Sequence, residues 1–294
     1  MLLACGCADP TREETPPALG AMSASLQEEN GLSINGLGTN GLGTNGLGTN
    51  GLGTNGLGTN GLGTTQFATW FNQDPGLTAM VMQYIVKCAV PAGSSRTWKN
   101  PKTKVQYTWL GELGLTPSWA GGMPATAVEQ QVITSCLAAH ANKFGVHVPF
   151  SIMGLDSSGS PIPIGTRELN DFPEKEACFF GNLFTQEGLF AGNDAVWSSA
   201  DSSVRACGLE MSNPSGVDKC LPIHQVGRCS DFCVAESKHN YYLSCTYNGK
   251  NYRPMTTRLR HEDIYHCGDG TCQISESCGT GTTPGNCKDC GPCL

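Results

Sequence analysis

Charge is scarce in this chain. Asp, Glu, Lys and Arg supply 15 % of its 294 residues, against roughly 25 % in ordinary domains. Eighteen Lys plus Arg stand against 25 Asp plus Glu, a net charge of -7. No basic block interrupts the chain, so the counterion release that drives nucleic-acid affinity has no source, and nucleic acid is not expected as a partner. No apolar run reaches the roughly 18 residues of a membrane span, so acyl chains would be the only membrane anchor.

Short catalytic templates are missing as well. The chain around Gly154 reads G-L-D-S-S-G, with its serine one place late for a nucleophile elbow. His261-Glu262 has its second histidine, His266, five residues on rather than four, which rotates it off the face a zinc-protease helix would use. Cys136 and His140 share a helical face, but an oxidised cysteine has no thiolate to offer. His147, His224 and His239 are isolated. No catalytic residue is assigned, and the protein is read as a binder ahead of an enzyme. The alternative is a secreted hydrolase whose site is assembled from residues such as Asp171, Glu174, Glu176 and His224.

What is abundant is glycine and cysteine. Of 38 glycines, 13 fall in residues 30–64, which read NGLSI once and NGLGT six times. A period of five fits neither the 3.6 of a helix nor the 2 of a strand. A coil could point Leu32, Leu37, Leu42, Leu47, Leu52, Leu57 and Leu62 to one axis, with Asn-Gly at the corners. The units resemble those of pentapeptide-repeat proteins, which implies a short β-solenoid-like coil. A flexible glycine-rich spacer is the competing reading. Stacked turns would align Thr39 through Thr64 in a ladder suited to ordered water or polysaccharide, which makes a repeat-mediated adhesin a third functional reading.

Sixteen cysteines fall into even groups. Cys5 and Cys7 open the chain. Cys88, Cys136, Cys178, Cys207, Cys220, Cys229, Cys233 and Cys245 occupy the core, and Cys267, Cys272, Cys278, Cys287, Cys290 and Cys293 the tail. Even counts suggest disulfides, which persist in oxidising compartments. Thiolate zinc sites are the competing reading, disfavoured because the core cysteines are mostly spread singly. Leu2-Leu3-Ala4-Cys5-Gly6 resembles the lipobox of bacterial lipoproteins, which implies lipidation of Cys5 and an outer-membrane, cell-surface or extracellular location. A secretory signal needs an apolar stretch of about 7 to 15 residues, so the reading frame is expected to extend upstream.

The organisation expected is therefore a lipobox remnant over 1–7, a flexible linker over 8–29, the repeat over 30–64, an α+β, disulfide-rich core over 66–264 and a six-cysteine module over 267–294. Within the core, Asp74-Pro75 caps a helix over Leu77–Val90 that carries Met80, Tyr84 and Cys88 on one face. Thr97–Leu113 reads as a hairpin. The capping box Thr126-x-x-Glu129 opens a second helix that runs to Gly145, and Val146–Met153 alternates as a strand. Cys88 and Cys136 each fall on the buried side of a helix and are the one pair assigned; eight core cysteines leave the others open.

The runs YIVKCAVPAG (84–93), GELGLTPSW (111–119), EQQVITSCLAAHANKFGVHVPFSIMG (129–154) and EACFFGNLF (176–184) resemble an uncharacterised group of secreted, often NG-repeat-bearing proteins of gliding soil bacteria. The resemblance implies an exported, disulfide-bonded domain and supplies no activity. The tail, CGDGxCxxxExC followed by DCGxC, resembles small modules appended to bacterial secreted proteins. Asp269-Gly270 with Glu276 matches the second half of an EF-hand loop while the first half fails, so calcium held by Asp269, Glu276 and Asp289 is the one metal site considered; no other cofactor is expected. Three bridges alone would explain so short a module. The expected role is binding or structural in the cell envelope, with a polysaccharide or envelope protein as partner.

Overall fold

The computed structural model describes residues 27–29, 50–141, 149–194, 222–260, 267–268, 270, 272, 276–283 and 286–293. In chain order the helices are α1 (Leu52–Asn55), α2 (Thr59–Leu62), α3 (Thr65–Phe71), α4 (Pro75–Ala89), α5 (Pro117–Ala120), α6 (Ala127–His140), α7 (Glu168–Asp171) and α8 (Cys229–Phe232). The strands are β1 (Gln27–Glu29), β2 (Ser95–Lys99), β3 (Gln106–Leu110), β4 (Pro149–Gly154), β5 (Glu174–Asn182), β6 (Gly188–Asn193), β7 (Ile223–Arg228), β8 (Cys233–Ala235), β9 (Tyr242–Tyr247), β10 (Lys250–Tyr252), β11 (Met255–Leu259), β12 (Thr282–Thr283) and β13 (Asn286–Cys287). The protein is a mixed α+β structure with several sheets.

Its centre is a six-stranded sheet in the order β1-β4-β11-β5-β6-β7, antiparallel except for the parallel pair β6 and β7. Strand β5 runs through the middle and is buried on both faces. Ala177 and Phe179 join the core that includes Val132, Ile133, Cys136 and Leu137 of α6. Cys178 and Phe180 join Phe190, Tyr242, Cys245 and Tyr252 in a second cluster beneath the small sheet β10-β9-β8. The alternation of side chains along one strand thus feeds two cores, giving layers of helix, sheet and sheet.

The two principal helices start where their caps predict. Asp74 Oδ1 accepts from the Leu77 N–H at 3.0 Å, with Pro75 in the first turn. Thr126 and Glu129 close the capping box on α6. That helix ends at His140, short of the expected Gly145, because Ala141 turns extended (φ -78, ψ 144). Helix α4 buries Tyr84 and Cys88, while Met80 is only partly covered. The hairpin β2–β3 turns Trp98 and Trp109 inward against Phe67 and Phe71 of α3, and the Trp109 Nε1–H donates to the Ala79 carbonyl at 3.1 Å.

The described part of the repeat differs from the coil expected of it. Its last three units hold two single helical turns, α1 and α2, which start seven residues apart and so out of step with the repeat, and no closed solenoid is seen among the described residues. Between the two turns a glycine redirects the chain. Gly56 does this at φ 75. A Cβ on Gly61 would overlap the Gly56 carbonyl, and one on Gly56 would overlap the Gly122 backbone, so these positions admit only glycine.

Leu52, Leu57 and Leu62 are buried in the main core. Core side chains fasten the turns: Trp119 Nε1–H donates to the Leu52 carbonyl at 2.8 Å, and Arg96 Nε–H to the Leu57 carbonyl at 2.8 Å. The segment is therefore neither coil nor free spacer over 50–64. No threonine ladder forms there either, since Thr64 Oγ1 is occupied capping α3 through the Phe67 N–H. The earlier units, the linker, and Cys5 and Cys7 lie outside the described residues.

Candidate functional site

Twelve of the sixteen cysteines are described, and all twelve stand in pairs. Cys88–Cys136 staples α4 to α6 with Cα atoms 6.2 Å apart. Cys178–Cys229 ties β5 to α8, and Cys233–Cys245 crosses from β8 to β9. The tail is held by Cys267–Cys287, Cys272–Cys290 and Cys278–Cys293. Cys207 and Cys220 lie outside the described residues. His140, fully buried, places Nδ1 3.8 Å from Cys136 Sγ and 2.9 Å from the Cys136 carbonyl. With its sulfur in a bridge, this pair is not a nucleophile and base.

The four residues considered for a hydrolase are not brought together. Asp171 pairs with Arg167 at 3.5 Å. Glu174 opens β5 opposite Leu259. Glu176, 2 % exposed, accepts from Thr257 Oγ1–H at 2.7 Å. His224 lies opposite Phe190, which itself faces Phe180. That row is four residues from Glu176, about 13 Å along the sheet at 3.3 Å per residue. His239 sits in a tight turn at φ 58, its carbonyl accepting from Lys175 Nζ at 3.0 Å. His147, His261, Glu262 and His266 lie outside the described residues.

Sequence reading missed one polar cluster, because its members come from three separate segments. Asp194 accepts from Tyr242 Oη–H at 2.8 Å and pairs with Lys175 at 2.8 Å, and Lys175 Nζ stands 4.9 Å from the Tyr242 ring centre. Burial, then the Asp194 carboxylate, push the Tyr242 hydroxyl well above its ordinary range. Such a phenol keeps its proton, so the cluster locks β5, β6 and β9 together rather than performing acid–base work.

In the tail, Glu276 and Asp289 come within 4.8 Å of each other and of the sulfurs of Cys267 and Cys287. Asp289 accepts from the Gly268 N–H. Asp269 lies outside the described residues. The two sulfurs belong to one bridge and are poor donors, so the oxygens this group offers are two carboxylates, fewer than the six to eight ligands calcium takes.

Two concavities among the described residues lie where the repeat meets the core. An open cavity of about 790 Å³ is lined by Thr64, Thr65, Gln66, Thr69, Trp70 and Gln73, and a second of about 370 Å³ lies beside Thr54, Gln130 and Phe184. The lining offers hydroxyls, amides and an indole, without a charged side chain. Trp70, 5 % exposed, has an indole N–H with no acceptor among the described residues. Such a surface suits a neutral polar ligand and offers nothing to a metal or a phosphate. Sequence reading missed it because the glutamines and threonines are diagnostic only once α3 lays them along one wall.

Comparison with protein-family models, with curated proteins and with solved structures finds no match. Function has therefore to be read from the site alone.

Proposed function

We propose that this is an exported, cystine-stapled protein of the cell envelope that binds rather than transforms its ligand, with lipidation at Cys5 as its anchor. The observation that carries the reading is the pairing of all twelve described cysteines, a state that oxidising compartments preserve and the cytosol does not. No helix among the described residues is long and apolar enough to cross a membrane, which is compatible with an acyl anchor.

A binding role is supported by the uncharged cavities on the repeat side of the core, whose hydroxyl and amide lining matches the donors and acceptors of a sugar polymer. The distance of His224 from Glu176 leaves the hydrolase reading without a histidine beside its carboxylates. Protease shaving and amine biotinylation of intact cells of the native host test the location: the protein is expected to be removed and labelled, with palmitate incorporation abolished by Cys5→Ser. Recovery in the soluble cytoplasm would overturn the proposal. Turnover of any substrate in a broad hydrolase panel by the oxidised protein would overturn the binding role.

A further inference from the structure

From Pro75 to Gly111 the chain holds no acidic residue and five cations. Two of them are used inside the fold. Lys87, 6 % exposed, pairs with Glu112 at 3.4 Å, and Arg96 donates to the carbonyls of Leu57 and Ala120. The other three, Lys99, Lys102 and Lys104, are exposed at the tip of the β2–β3 hairpin and make no ion pair among the described residues, Lys104 Nζ donating only to the Pro101 carbonyl of its own loop at 2.7 Å. In a molecule of net charge -7, this is a local reversal of sign.

The loop that carries them is built. Asn100, fully buried, accepts from the N–H groups of Lys102 and Thr103 at 2.9 and 3.3 Å. Its own backbone exchanges bonds with Val105 and Lys104 at 2.8 and 2.9 Å. Its Nδ2–H donates to Asn72 Oδ1 at 3.0 Å, which fixes the loop to the end of α3 beside Gln73 of the larger cavity. Lys104 holds φ 65, a left-handed conformation kept by these bonds. The lysines are thus displayed on a backbone whose ordering cost was met on folding.

We infer that this tip is a docking surface for an acidic polysaccharide, with Lys99, Lys102 and Lys104 meeting its carboxylates or sulfates. The inference rests on the binding reading above and names the class of ligand. Behind the tip the outer ribbon face continues as Lys99 opposite Gln106 and Thr97 opposite Thr108, all exposed, with the two threonine hydroxyls 3.2 Å apart. At a strand pitch of about 3.3 Å per residue these two rows extend the charged tip by about 7 Å of polar surface, up to the exposed Leu110, enough for a sugar unit to lie behind the lysines. The tip carries one exposed large apolar side chain, Val105, where insertion into a bilayer needs an apolar face. A nucleic acid would want aromatic faces for its bases, yet Trp98 and Trp109 are turned inward.

The test is affinity of the purified, oxidised full chain for alginate, a uronate polymer, against neutral dextran and vesicles containing phosphatidylglycerol. Alginate is expected to bind, more weakly as salt rises. The triple variant K99Q/K102Q/K104Q is expected to lose about fivefold per lysine, about a hundredfold in all. Lys238→Gln, an exposed cation elsewhere, is expected to change nothing. Thermal unfolding of the triple variant, expected unchanged, separates lost binding from lost fold. Equal affinity of the triple variant, or preference for the vesicles, overturns the inference. Equal binding of dextran and alginate overturns it and leaves the binding reading standing; absence of binding to both polymers overturns both.

Discussion

Glu129 is a charged residue 2 % exposed that closes three hydrogen bonds. It accepts from the backbone N–H and the hydroxyl of Thr126 at 3.0 and 3.1 Å, and from the Trp119 N–H at 2.9 Å. One carboxylate therefore starts α6 and holds α5, whose Trp119 fastens the repeat. Glu129→Ala is expected to lower stability by about 2 to 3 kcal/mol, a lost cap plus a buried N–H left unpaired, and Glu129→Gln by less; urea unfolding reads both. Two other carboxylates make stability depend on pH. Glu187 is held below the ordinary value of 4.5 chiefly by the hydrogen bond from Lys250, 3.0 Å away. For Glu236 the largest effect is burial, which raises it, but bonds from the Lys238 and Asn240 N–H groups outweigh that and leave it lowered. A lowered folded value means stability present above 4.5 and lost as pH falls through the lowered value. The urea midpoint is expected to hold level toward neutral pH and decline in acid, modestly because both groups are largely solvated. Lys250→Met should remove the Glu187 share of that slope, and a slope unchanged in the variant would contradict the assignment.

At the scale of elements, local signals with a fixed offset were legible in the sequence. Asp74-Pro75 and Thr126-x-x-Glu129 mark the starts of α4 and α6 because a cap is chemistry between neighbours three residues apart. The alternation of Val105, Tyr107 and Trp109 marked the hairpin, a signal equally local to the chain. The repeat was not legible, because its conformation is decided by distant partners, Trp119 and Arg96, that no period of five announces. Strand β5 was obscured by burial on both faces, which turns its alternation into a continuous apolar run. The charged tip escaped notice because Lys99, Lys102 and Lys104 are interleaved with polar residues and are gathered only by the fold of the loop around Asn100. Two expectations belong here. Leu57→Ala is expected to cost about 2 to 5 kcal/mol in urea unfolding, since it opens a cavity in the core; a spacer leucine would cost nothing. Replacing Cys88 and Cys136 together by alanine removes a bridge closing about 50 residues and is expected to cost about 4 kcal/mol, read as a drop in the thermal midpoint.

For the whole molecule, three layers are reinforced by covalent links, five of the six described bridges lying where apolar packing is thin. The α4–α6 pair gains a staple across an already packed interface. The small sheet β10-β9-β8 has few residues to bury and is held by Cys178–Cys229 and Cys233–Cys245. The tail, with two two-residue strands, depends on its three bridges. This distribution explains how a chain poor in charge, with its apolar side chains divided between two cores, keeps the small sheet and the tail folded. The direct test is peptide mapping of native protein alkylated before any reduction. Linked peptides are expected for Cys88–Cys136, Cys178–Cys229, Cys233–Cys245, Cys267–Cys287, Cys272–Cys290 and Cys278–Cys293, with none of these twelve sulfurs alkylated. Native protein in which those sulfurs react freely, or release zinc when they do, would contradict the account.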